Sequence, residues 1–161
     1  FTRVRKTHKI NKMINIALYK PDIPQNTAAI IRLAACLDLK IHIIEPCGFN
    51  LDDPRFKRVA MDYLQIAKIL RYKDFRTFEK ENIKSRIILM TTKAKKFYHS
   101  FKFKKKDILL FGRESSGVPE EIQLKIKNKI KIKMSVKARS LNIAMAVAIA
   151  SSEALRQNNC L

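Results

Sequence analysis

Apolar residues along this chain fall into short blocks that alternate with longer stretches of helical spacing. Ile14–Tyr19 is an apolar run of strand length, closed by Pro21 and Pro24. Residues 25–37 follow with Ile30, Ile31, Leu33 and Ala34 on one face, which predicts a helix. Lys40–Ile44 is a second strand, ended by Pro46 and Gly48. Residues 52–63 are predicted to be helical after Pro54, 65–70 to be a strand, and 74–82 a short helix with Asp74 as its N-cap. Residues 86–90 show no alternation, the pattern of a strand buried on both faces, and Asp107–Phe111 is another. Residues 119–127 carry Pro at the first turn and two glutamates behind it, favourable for a helix N-terminus. The stretch KIKIK, 129–133, alternates strictly and predicts a strand with one face in water. The last helix, 140–157, contains a run from 141 to 150 that is apolar almost all round, so it is expected to pack on more than one side. This order of elements is that of an α/β domain.

Charge adds a partner class to that picture. The chain of 161 residues has a formal net charge of +20 and is 47% hydrophobic, which implies a folded protein facing a polyanion, nucleic acid before a membrane surface. A general bias toward lysine would give the same total, so charge alone does not decide the matter. Residues 1–12 are basic and aperiodic, and are expected to be a leader, a tag remnant or an upstream extension. Residues 13–161 are then one domain, with Met13 a plausible start. Cys36, Cys47 and Cys160 are odd in number and lack metal-ligand spacing, which suits a reducing cytoplasm and predicts no metal site. The apolar run 143–150 is too short to cross a bilayer.

Three stretches put polar residues at strand-to-helix junctions, where ligands of open α/β sheets bind: PQNTAAIIR (24–32), FGRESSGVP (111–119) and KARSLNIA (137–144). Each has a bland reading. Asn26 and Ser140 suit helix caps, and Arg32 suits a solvated helix position. The second stretch holds two of the three glycines in the chain, and glycine allows a positive φ or a close approach of backbone to ligand. A nicotinamide-dependent oxidoreductase is disfavoured, because no G-x-G-x-x-G follows the first strand.

Together with HIIEPCGF (42–49), LDDPRFKRVAMDY (51–63), LMTTK (89–93) and IKIKM (130–134), these stretches resemble the SPOUT class of RNA methyltransferases. The resemblance is strongest to the small stand-alone branch that methylates the ribose 2′-hydroxyl of the wobble nucleotide, cytidine or uridine, in certain leucine tRNAs. It implies a mostly parallel sheet flanked by helices, with a C-terminal trefoil knot. It also implies S-adenosylmethionine (AdoMet) as methyl donor, bound by Met90, Gly112, Ile132 and Ser140, with Thr91, Glu114, Gly117, Met134 and Leu141 close by. The chemistry implied is displacement at a sulfonium methyl, in which the cationic donor becomes neutral and no metal is required. Arg32 takes the position of the family's catalytic arginine. The resemblance implies that Arg32 takes the hydroxyl proton; since a guanidinium ordinarily stays protonated, holding a phosphate or the developing alkoxide stays open as its role. Asn26 would orient it or the ribose, and Asn142 would shape the reacting site. The sequence departs from the family pattern at Ala28, Lys133 and Ser152.

The resemblance further implies a homodimer pairing the first and last helices, with tRNA gripped by the dimer itself. Arg55, Lys57 and Arg58 are candidate contacts, as is FKFKKK (101–106), whose Phe101 and Phe103 would either stack on bases or belong to the core. Two alternatives stay open: another tRNA or rRNA position as target, and a catalytically silent RNA-binding protein on the same scaffold.

Overall fold

The computed structural model describes residues 14–160, so the expected extension at 1–12 lies outside the described residues. Seven strands form one sheet: β1 (Ile14–Tyr19), β2 (Lys40–Ile44), β3 (Lys68–Tyr72), β4 (Ile87–Met90), β5 (Lys96–Phe97), β6 (Asp107–Phe111) and β7 (Asn128–Lys131), in the order β3-β2-β1-β6-β4-β7-β5. Every neighbouring pair is parallel. Helices α1 (Pro24–Cys36), α2 (Pro54–Ala60), α3 (Tyr63–Ile66), α4 (Phe75–Glu81), α5 (Glu120–Lys125) and α6 (Ile143–Gln157) connect and cover them.

The central strands read as largely apolar runs because each of their faces meets a different core. Ile14, Ile16 and Leu18 of β1 point into the larger core with Ile30, Ile31 and Ala34 of α1 and with Val147, Ala150 and Ala154 of α6. Ala17 and Tyr19 point the other way, into a second core with Phe75 and Phe78 of α4 and Ile122 of α5. The period of two that alternates side chains across a strand also divides β6, with Leu109 and Phe111 on one side and Ile108 and Leu110 on the other.

Several expected boundaries move. Helical structure after Pro54 breaks at Met61, whose φ is +53°, and a short turn at 63–66 delays β3 to Lys68. The Asp74 cap is present, its carboxylate accepting from Thr77 N at 2.7 Å. The KIKIK strand ends at Lys131 and lies inside the sheet between β4 and β5, so Ile130 is fully buried and its lysine neighbours are half-buried rather than in water. The two-residue strand β5 was not expected. The last helix begins at Ile143, not residue 140. Phe101 and Phe103 are core residues, 6% exposed each and in edge-to-face contact with ring centroids 5.1 Å apart, and so cannot stack on a base.

Candidate active site

The chain order and the spatial order of the strands part company around β1, β6 and β4, and loops leaving the C-terminal ends of parallel strands converge there. Between them lies a cavity of about 520 Å³, within the roughly 300–1,000 Å³ usual for small-molecule sites. Its walls come from the loops after β4, β6 and β7 and from the first turns of α1 and α6. Met90, Thr91, Gly112, Glu114, Gly117, Ile132, Met134, Ser140 and Leu141 all line it, as do Asn26 and Asn142. Residues from 26 to 142 are thus brought to one place.

Polar contacts tie these loops together. Glu114 accepts from Asp22 N at 3.0 Å and from Asn26 Nδ2 at 3.2 Å. Asn26 Oδ1 in turn accepts from Asn142 Nδ2 at 2.9 Å. Asn142 Oδ1 accepts from Ala144 N at 2.8 Å and so caps α6. The cap is therefore Asn142 and not Ser140. Asn26 is no cap either: it sits inside the first turn of α1, behind Ile23. Asp22 returns the contact by accepting from Glu114 N at 3.1 Å, from the Ser115 hydroxyl, and from the Arg113 guanidinium at 3.3 Å. Burial pushes the Glu114 carboxyl above the ordinary glutamate range, and its side-chain contact with Asp22 adds to that shift. The same contact, with help from the Ser115 hydroxyl, holds Asp22 down to about 2.

The two glycines of this loop have different reasons to be glycine. A Cβ on Gly112 would lie 2.6 Å from the carbonyl carbon of Gly117 and 2.7 Å from its Cα. Gly117 has a φ of +68° and open space where its Cβ would stand. Arg113 and Gly117 close the loop with paired backbone hydrogen bonds of 3.2 and 2.9 Å. Gly112 thus serves the loop's own closure, whereas a positive φ requires glycine at 117.

Arg32 is not at this cavity. It is exposed on α1, six residues or about 9 Å along the helix axis from Asn26, and its guanidinium stacks 5.0 Å from the Tyr63 ring centroid. Ala28 faces the core, and Lys133 and Ser152 are exposed. Sequence reasoning missed Asp22, Arg113, Lys93, Lys131, Gln123 and Ala146. For Asp22 a signal existed, since an acidic residue between two prolines stands where β1 gives way to α1. Among the described residues no cluster of His, Cys, Asp or Glu is placed to hold a metal, and no helix is long and apolar enough to cross a membrane.

Comparison with known proteins gives this geometry a context. The SpoU rRNA Methylase family model matches residues 13–152. A relative from Beijerinckia indica subsp. indica, a tRNA (cytidine(34)-2′-O)-methyltransferase, is 47% identical over 109 residues, covering 66% of this chain and 68% of its own. The Escherichia coli K12 protein of the same name is 40% identical over 110 residues, covering 68% and 70%. A solved structure concerned with the 2-OH methylation of C/U34 on tRNA superposes with a TM-score of 0.87 at 35% identity, covering 92% of this chain and 98% of that one.

Proposed function

The chain belongs to the SpoU rRNA Methylase family, and on that footing we propose that it transfers a methyl group from AdoMet to the ribose 2′-hydroxyl of nucleotide 34, cytidine or uridine, of tRNA. Leucine tRNAs are the natural substrates in this reading. The observation that carries the reaction is the meeting of Asn26, Glu114 and Asn142, which come from three distant stretches, through hydrogen bonds on the wall of one cavity. The choice of nucleotide rests on the relatives' shared activity.

The cavity residues fit AdoMet. Leu89, Met90, Ile132, Leu141 and Ala146 offer apolar walls for a ring, and Arg113 Nε, buried with no hydrogen-bond partner among the described residues, is a free donor for a carboxylate. When bound, AdoMet supplies a methyl group on a sulfonium. The protein's part is to hold the ribose in line with it, worth several kcal/mol of barrier, and to exclude water. The Asn26–Asn142 pair orients the hydroxyl.

Arg32 acts from outside this cavity. One protomer cannot deliver it there, so the homodimer through α1 and α6 belongs to the proposal: a second copy brings its own Arg32 to the reacting hydroxyl. Exposed Met145 and Ile149, one turn apart on α6, supply an apolar face for that pairing. The proposal also includes a trefoil knot in the C-terminal segment. It is supported by β7 lying between β4 and β5 while α6 returns against α1 on the sheet's larger core.

Incubation with methyl-labelled AdoMet and tRNA lacking the wobble 2′-O-methyl group tests the reading. The expected result is label on the ribose of nucleotide 34. Arg32→Ala should lose turnover while keeping AdoMet affinity within a few-fold, because the side chain does not line the cavity. Undiminished turnover in that variant would remove Arg32 from the mechanism.

A further inference from the structure

One edge of the sheet carries a concentration of positive charge that the cofactor cavity does not account for. Residues 92–106 contain seven lysines and no carboxylate, and residues 122–152 contain six lysines and Arg139, again with no carboxylate. The fold brings these two segments side by side, because β5 pairs with β7 at the end of the sheet. A second hollow forms where they meet, lined by Lys93, Lys95, Lys96, Lys127 and Lys129 above Phe101. Four of the five are exposed, and Lys129 is half-buried. The ion pairs among the described residues involve none of them. Lys96 instead rests its ammonium 5.2 Å from the Phe101 ring centroid.

The hollow is continuous with the cavity. Lys93 lines both. On β7, Lys129 faces the hollow while Lys131, two residues on and so on the same face of the strand, lines the cavity. A row of ammonium groups therefore runs from the cavity to the sheet edge. Five like charges so close repel one another, and the arrangement costs free energy unless a polyanion lies across it. Ammonium groups without carboxylate partners are point donors suited to phosphate oxygens, and they read no base.

We infer that this β5–β7 lysine edge is the docking surface for the phosphodiester backbone of the RNA, holding nucleotides beyond the one whose ribose enters the site. The inference rests on the proposed reading for the identity of the RNA, but not for the surface itself. Of the two roles open to Phe101 and Phe103 the core one holds: Phe101 is the floor, and the lysines make the contact.

The test compares Lys95→Glu/Lys127→Glu with a charge-matched control, Lys80→Glu/Lys84→Glu, on exposed positions of α4 and the turn that follows it, outside the two lysine-rich segments. Bulk tRNA unmodified at the wobble ribose is the probe, and binding is measured across a salt series. Losing two phosphate contacts should lower the slope of log affinity against log salt by roughly 1.5. At low salt the tRNA dissociation constant should rise at least about tenfold relative to the control. AdoMet affinity should match the parent chain in both variants, which shows that both are folded. Equal tRNA affinity and equal salt slope in the two variants would overturn the inference. If the parent chain binds tRNA but methylates none, the proposed function fails, while the comparison of the two variants still decides the surface.

Discussion

His42 shows how much one buried side chain can contribute to the pH response of this molecule. It stands on β2, 2% exposed, in an aromatic nest with Tyr72 stacked at 5.6 Å and Phe78 edge-on at the same distance. Nδ1 meets the Tyr72 hydroxyl at 2.9 Å, while Nε2 is buried without a partner among the described residues. Burial, and secondarily the Lys40 ammonium, lowers its pKa from 6.5 to about 4. The folded state therefore binds fewer protons than the unfolded one between these values, and stability falls as pH drops through that window. A shift of that size corresponds to roughly 3 kcal/mol at 1.36 kcal/mol per unit. His42→Phe should flatten the unfolding free energy between pH 6.5 and 4 relative to the parent; parallel curves would show that His42 does not titrate on unfolding. At the same scale, the loop glycines were legible as requirements but not as to cause. Only coordinates reveal that Gly112 abuts Gly117 and that Gly117 needs its positive φ.

Among elements, the buried strands were the most legible. Past Asp107, which is itself buried against Arg86, the run ILLF has no polar position to mark a solvent face, and β6 has the expected bounds. Legibility failed where no period can be expressed or where the backbone departs from it: two residues suffice for β5, and nothing in MDY announces the positive φ of Met61 that divides α2 from α3. The start of α6 was misjudged because Ser140 and Asn142 are both good caps, and the choice follows from Asn142 also reaching Asn26. The clasp between the β1–α1 loop and the FGRESSG loop leads to a prediction. Asp22→Ala removes the acceptor for Glu114 N, the Ser115 hydroxyl and Arg113 at once, freeing a loop that lines the cavity. One or two net hydrogen bonds at about 1 kcal/mol each should weaken AdoMet binding by roughly tenfold. Asp22→Asn, which retains an acceptor for Glu114 N, should recover part of the loss. Calorimetric titration of both variants measures this, and unchanged affinity in Asp22→Ala would show that the loop holds without the clasp.

The whole molecule explains the one catalytic candidate that a single chain does not deliver. Resemblance picks out Arg32 by its place in PQNTAAIIR, yet six residues turn the helix through about 600°, so Arg32 leaves α1 on a different face from Asn26 and does not line the cavity. Eleven of the twelve expected site residues converge because they sit on loops at one end of a parallel sheet. The twelfth sits on an exposed face of α1, which the proposed dimer would cover. The same pairing would use the all-round apolar pattern of α6: Val147, Ala150 and Ala154 face the core, while Met145 and Ile149 remain 56% and 37% exposed. Charge placed on that face should separate a dimer without disturbing the core. Met145→Asp forgoes about 1 kcal/mol of apolar burial per copy, since the side chain is already half-covered. A two-fold interface repeats that loss, and a carboxylate carried into it adds desolvation cost. The dissociation constant should rise at least about thirtyfold. Light scattering at micromolar concentration should then find the parent chain dimeric and the variant largely monomeric. Methyl transfer should fall with the dimer fraction while AdoMet binding to the cavity is retained. A parent chain that is already monomeric yet methylates tRNA would refute both the pairing of α1 with α6 and the delivery of Arg32 by a second copy.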